Sequence, residues 1–348
     1  MHVNPLSRAE IDAWPIERSG LPVRVVNAVA AVPVKTIGQL RAVPESHLLK
    51  LKSLGRISLT HIRDFFKLCG QIEQGKQRFT TIKDVFSLVL DEAELNVLST
   101  RYGLSREGYK VARNHSTLQQ IADTLNVTRE RIRQVQDAAV AQLGSYLAQT
   151  CLQPFYDLLA AEINNAGRVL GCQGLHAMPS VPAFGGWNVC SVALLLSDAN
   201  PVRLAAYQGC FSTFPPADLR ALEARLLEVL RQAAGPVGLE DLCRRAGPEI
   251  WADAARRPAV AACLLEHAPA AAATTDQRYF LFAGGAAPYL VEVVSRLERP
   301  VHFRKVTAAF NEGLLPVKRR GAGYILDLLG THPRFTRIDR GVYDLKAG

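Results

Sequence analysis

The chain has 348 residues, of which 48% are hydrophobic and 21% charged, with 25 Gly and 19 Pro. These proportions exclude a disordered or collagen-like chain and allow several packed cores. No apolar run approaches the roughly 18 residues a membrane helix needs, and the first 20 residues, MHVNPLSRAEIDAWPIERSG, hold no apolar signal core, so a cytoplasmic protein is expected.

The net charge of +9 is unevenly spread: residues 1–150 carry +6, residues 151–286 carry −2 and residues 287–348 carry +5. Basic ends flank a neutral middle, a pattern that suits a polyanionic partner contacted at both ends.

Seven cysteines, at 69, 151, 172, 190, 210, 243 and 263, stand singly, with no C-x-x-C and no Cys/His cluster at zinc-finger spacing. They read as reduced, mostly buried thiols. The eight His lie apart, and the sequence has no Walker A, GxGxxG or H-E-x-x-H motif. No enzyme activity, metal site or cofactor is therefore expected. The double glycines of PAFGGW (182–187) and FAGGAAP (282–288) read as loops, since neither stands between a strand and a helix as a phosphate loop would.

In sequence order, four short runs of helical periodicity are expected at 23–31, 37–42, 45–50 and 59–68, broken by Pro33, Pro44 and Gly55. Ser58 stands where it would cap the last of them. Helices this short are stable only when packed together. Residues 70–78, GQIEQGKQR, read as a linker.

A second unit starts near Thr80. Leu95, Leu98 and Tyr102 share one helix face, Gly103 closes that helix, and a polar loop covers 105–116. TLQQIADTLNVTRERIRQV follows from Thr117, with Leu118, Ile121 and Leu125 expected inward, a turn at Asn126 and Val127, and Thr128 capping a helix that buries Ile132, Val135 and Ala139. This is the spacing of a helix-turn-helix.

The last 130 residues repeat at an offset of 64. Pro236-Val237 falls on Pro300-Val301, Leu239 on Phe303, Leu242 on Val306, Leu264-Leu265 on Leu328-Leu329, Tyr279 on Tyr343 and Leu281 on Leu345. Each copy reads helix, short helix, helix and a two-strand segment, the order of a winged helix. A third, weaker copy with Val169-Leu170, Leu175, Leu194 to Leu196 and Phe211 fits only with offsets of 67 to 69. The expected fold is thus mostly α and multi-module: a helix-hairpin-helix bundle (1–75), a helix-turn-helix (76–150), a degenerate winged helix (151–216) and two tandem winged helices with small β wings (217–286 and 287–348).

Two resemblances add to this reading. LPVRVVNAV, TIGQLRAV and LLKLKSLGRISLTHIRDFF, within 21–66, resemble the C-terminal domain of the bacterial RNA polymerase alpha subunit, which binds the minor groove of A·T-rich DNA. The resemblance implies DNA contacts for Arg24, Asn27, Gly55 and Ser58. Ser53 stands where an Asn is usual and Ile57 where a Lys is usual, which should weaken DNA contact and leaves open a role in protein contact or packing alone.

LDEAELNVLSTRYGL (90–104) and TLQQIADTLNVTRERIRQVQDAAVAQL (117–143) resemble region 4 of primary sigma factors, which reads the promoter −35 element. The resemblance implies that Arg129, Glu130, Arg133 and Gln134 face major-groove edges while Arg131 meets phosphate; paired hydrogen bonds from Arg129 and Gln134 to purines, and acceptance from cytosine by Glu130, fit their chemistry. The rival reading of this charge run is a solvated helix face. Nothing resembles the sigma segment that captures the melted −10 strand, so promoter melting is not expected.

The last copy loosely resembles winged helices of polymerase accessory, restriction and chromatin proteins. Lys318, Arg319 and Arg320 precede its third helix (322–329), and Arg334, Arg337 and Arg340 line its wing, whereas the middle copy has only Arg278 there. A second DNA contact is expected in the last copy, with a structural or dimerising wing as its rival, and a spacer or protein-contact module in the middle one. The expected partners are double-stranded DNA and, through the resemblance, RNA polymerase; the alternative is an interaction subunit of a homo-oligomer or larger assembly in genome defence or DNA maintenance.

Overall fold

The computed structural model describes residues 1–51, 54–105, 115–247 and 257–346, and the protein forms two compact units. The first comprises Met1–Glu162 and Cys172–Ala206; the second comprises Ile163–Gly171 and Tyr207–Gly348. The fold is mostly α-helical, with small antiparallel sheets. Among the described residues no helix is long and apolar enough to cross a membrane.

In the first unit, the helices Arg8–Asp12, Val23–Val29, Ile37–Ala42, Glu45–Leu48 and Arg56–Glu73 form a bundle around Val25, Val29, Ile37, Leu40, Ile62, Phe65 and Cys69. Capping boxes start two of them: Ser7 with Glu10, and Thr36 with Gln39. Arg41 links the bundle by ion pairs to Asp12 at 3.0 Å and Glu73 at 3.1 Å.

Two local expectations are corrected here. The last helix starts after Gly55 rather than at Ser58, and it runs on to Glu73, so 70–73 is helix rather than linker. The buried face explains the extension: Ile62, Phe65, Cys69 and Ile72 keep the helical spacing across Gly70. The rest of the supposed linker is also ordered, because Val3 N donates to Gln77 O and Phe79 N to Met1 O, at 3.1 and 2.9 Å. Ser53 and most of the polar loop at 105–116 lie outside the described residues.

The helices Ile82–Val89, Glu92–Tyr102, Leu118–Leu125 and Arg129–Leu143 follow. Asp91 with Glu94 and Thr117 with Gln120 form capping boxes, and the Thr128 hydroxyl accepts from Arg131 N at 3.1 Å. Between the last two helices Asn126 takes the left-handed conformation, φ 53°, which Asn tolerates better than most residues. Val97, Ile121, Ala122 and Ile132 close a small core, with Leu118 and Val135 packed against it. Leu125, expected inward, is 41% exposed, because that core is complete without the helix's last turn.

The second unit carries the repeat. Each of its two full copies has a three-stranded sheet rather than a two-stranded wing, since a short strand (Val237–Gly238, Val301–His302) precedes the first helix and pairs with the last strand. The 64-residue offset holds pair by pair: Val237 faces Tyr279 as Val301 faces Tyr343, and Ala271 faces Leu281 as Phe335 faces Leu345. Those short strands escape sequence reading because two residues carry no periodicity. In the weaker copy Val169–Gly171 pairs antiparallel with Cys210–Ser212, with Leu170 opposite Phe211.

FAGGAAP is not a loop. It forms the first turns of the Phe282–Ser295 helix, directly after the Arg278–Leu281 strand. Ala286, Tyr289, Leu290 and Val294 of that helix join Val306, Phe310, Ile325 and Leu329 in one core, and that burial outweighs the low helix propensity of glycine. PAFGGW does hold a turn, a 3-10 helix (Val181–Phe184) followed by Gly185 at φ 65°.

Candidate nucleic-acid interface

The Arg129–Leu143 helix offers the best-built surface. Its inner face is fixed by Ile132, Ala139 and Leu143. Arg101, which no sequence motif singles out, ties it to its surroundings: Nε donates to Gln136 Oε1 at 3.0 Å and Nη1 to Ser116 O at 2.6 Å. With the inner face anchored, Arg129, Glu130, Arg131, Arg133 and Gln134 are all left exposed on the N-terminal half.

These side chains are organised among themselves. Arg133 donates to both Glu130 oxygens, at 2.9 and 2.7 Å, and to Asp137 Oδ2 at 2.6 Å, and Gln134 Nε2 reaches Glu130 Oε1 at 3.3 Å. The hydrogen bonds from Arg133 hold the Glu130 carboxyl down at about 2, so it is an anion at any ordinary pH. Such exposed pairs are weak in water and can be exchanged for contacts to base edges.

In the N-terminal bundle Arg24, Asn27 and Gly55 are exposed, and the helices Val23–Val29 and Arg56–Glu73, which Gly55 precedes, pack on one another. A Cβ placed on Gly55 would meet nothing within 4 Å, so this backbone is open to a close approach. Ser58 departs from expectation: it lies inside the helix and is 2% exposed, which removes its hydroxyl from the surface. Beside it Ile57 is 73% exposed, an apolar side chain where a cation would favour DNA.

The C-terminal basic set is smaller than its sequence implies. Lys318 is 4% exposed and its Nζ donates to Ala268 O, so it serves the interior of the second unit and not DNA. Burial pushes its ammonium down to about 8. Arg320 lies 3.6 Å above the Phe282 ring, a cation–π contact that holds it, and Arg319 Nε donates to Asn311 O at 3.2 Å from an exposed position. Arg334, Arg337 and Arg340 are exposed, but the Ala322–Thr331 helix bears no basic residue. In the middle copy Arg278 is paired with Glu292 and Asp276.

The second unit also brings Cys210, Cys263 and His267 together, a grouping that the sequence reading did not single out. The four-residue spacing of Cys263 and His267 on one helix was legible; the arrival of a strand cysteine beside them was not.

Comparison with known families agrees with the two main modules. Residues 6–67 match the C-terminal domain of the bacterial RNA polymerase alpha subunit, and residues 88–143 match Sigma-70, region 4. No curated protein and no solved structure matches the sequence. Both matched families are DNA-binding modules of transcription rather than catalytic ones. The protein therefore joins an RNA polymerase alpha C-terminal domain-like module to a Sigma-70 region 4-like helix-turn-helix, with winged helices after them.

Proposed function

We propose that the protein is a cytoplasmic, nucleoid-associated transcription regulator that reads promoter-like double-stranded DNA with the Arg129–Leu143 helix and does not melt it. The observation that carries this reading is the exposed row Arg129, Glu130, Arg131, Arg133 and Gln134 on a helix fixed from behind by Ile132 and by Arg101. Arg24, Asn27 and Gly55 supply a weaker minor-groove contact. Joining two DNA readers in one polypeptide raises the effective concentration of the second once the first is bound. In this reading the C-terminal wing adds phosphate contacts through Arg334, Arg337 and Arg340. A genome-wide footprint tests it: protected sites should share a sequence motif and keep a fixed position relative to promoters.

A second reading is favoured by the burial of Lys318 and the anchoring of half-exposed Arg320 on the Phe282 ring, which shrink the free basic surface. In it the last winged helix holds a protein, RNA polymerase or another copy of this polypeptide, as part of a larger assembly. Co-purification with polymerase, and a footprint unchanged when the wing arginines are replaced, would support it.

A further inference from the structure

In the second unit three donors converge between two repeats. Cys210 opens the Cys210–Ser212 strand, and Cys263 and His267 stand one turn apart on the Arg257–His267 helix, which packs on that strand and on its partner Val169–Gly171. Cys210 Sγ lies 3.0 Å from Cys263 Sγ and 3.2 Å from His267 Nδ1. Nδ1 is also 2.8 Å from Cys263 O. Two glycines make room for the imidazole. A Cβ on Gly209 would come within 2.8 Å of His267 Cδ2, and one on Gly171 would sit 3.3 Å from His267 Cε1 and 3.7 Å from Cys263 Sγ. Gly209 is required by its φ of +88°, but Gly171 has no positive φ, so its missing side chain serves the space around the ring.

We propose that Cys210, Cys263 and His267 bind one divalent cation of zinc's class, which rivets the wing of the weak first repeat to a helix of the second. Two thiolates and an imidazole form a borderline-soft donor set that suits Zn²⁺ and disfavours the oxygen-seeking Mg²⁺ and Ca²⁺. Bonds of about 2.3 Å to sulfur would set the two sulfurs about 3.7 Å apart, an opening of about 0.7 Å that small side-chain rotations supply. A disulfide would instead need the sulfurs to close to about 2.05 Å and would leave the imidazole without a role. Binding replaces two S–H protons by metal, so two protons leave per ion; the Nδ1 proton that the metal-free ring donates to Cys263 O shifts to Nε2 as Nδ1 takes the metal. The cluster has three protein donors among the described residues, and water takes the fourth position.

The site is tested on the full-length protein, purified reduced and stripped of metal. Zn²⁺ should bind with one-to-one stoichiometry. Co²⁺ in its place should give thiolate charge-transfer absorption and the intense visible bands of a tetrahedral site. Cys263→Ser and His267→Ala should each weaken Zn²⁺ at least about tenfold, while Cys69→Ser, in the other unit, should not. Should the variants fail to fold, the parent protein suffices: Zn²⁺ should slow alkylation of Cys210 and Cys263 selectively in peptide mapping. Cobalt spectra without thiolate bands, alkylation indifferent to Zn²⁺, or a Cys210–Cys263 disulfide that forms in air in place of metal uptake would each overturn the proposal.

Discussion

Arg133 holds Glu130 in a two-pronged ion pair, at 2.9 and 2.7 Å, one turn apart on the helix assigned to DNA reading. In the proposed reading DNA must replace these contacts, and the energy lost is small because both side chains are solvent-exposed.

In the proposed reading Arg129 and Gln134 make the paired base contacts, Gln134 by giving up its 3.3 Å hydrogen bond to Glu130. Arg129→Ala and Gln134→Ala should each cost about 1–3 kcal/mol on the preferred site and much less on random DNA, relaxing selection at one position. Selection of binding sites from a random pool, followed by titration on the winner and on scrambled DNA, measures both. Unchanged motifs would remove the recognition-helix assignment.

The N-terminal bundle should respond asymmetrically. Arg24→Ala is expected to lower affinity on A·T-rich flanks, while Ile57→Lys raises it, because a narrow minor groove attracts cations and Ile57 is already at the surface. Anisotropy titrations on probes with A·T-rich and G·C-rich flanks distinguish the effects. No response to either change would give this bundle to protein contact.

The wing is best tested by substitution, not truncation. Removing 287–348 would cut through the Phe282–Ser295 helix and expose the core it shares with Phe310 and Ile325. Replacing Arg334, Arg337 and Arg340 by Ser leaves that core intact. The log-log salt slope of DNA binding should then become shallower by about 0.9 for each arginine that meets a phosphate. An identical slope would favour the protein-contact reading.

Lys318 makes stability depend on alkaline pH. Burial first, then Arg320, lowers its ammonium from 10.5 to about 8 in the folded protein, against the opposing pull of Glu266 and Glu223. Between those two values the unfolded state binds more protons, so this group makes stability rise with pH across that window, by at most about 1.4 kcal/mol per unit. Subtracting the urea-derived stability curve of Lys318→Met from that of the parent isolates the effect. Parallel curves from pH 8 to 10.5 would show that the lysine titrates as if exposed.

The sequence by itself determined the helix-turn-helix, because its signals are local. Helical spacing, the caps at Thr117 and Thr128 and the turn at Asn126 lie within a few residues of one another, and they alone place Arg129 to Gln134 on an exposed first turn and a half. The 64-residue repeat was equally legible, since matching side chains meet matching burial demands in both copies. Tertiary structure decided what happens to each charge and each thiol. Lys318 and Arg320 read as one basic cluster with Arg319, yet the lysine is drawn into the interior by a carbonyl and Arg320 is held by the Phe282 ring. Cys210 stands 53 residues from Cys263 in sequence and 3.0 Å from it in space. Such outcomes depend on which distant segments pack together, and the free energy of that packing is a sum over the whole core that no short window of sequence contains.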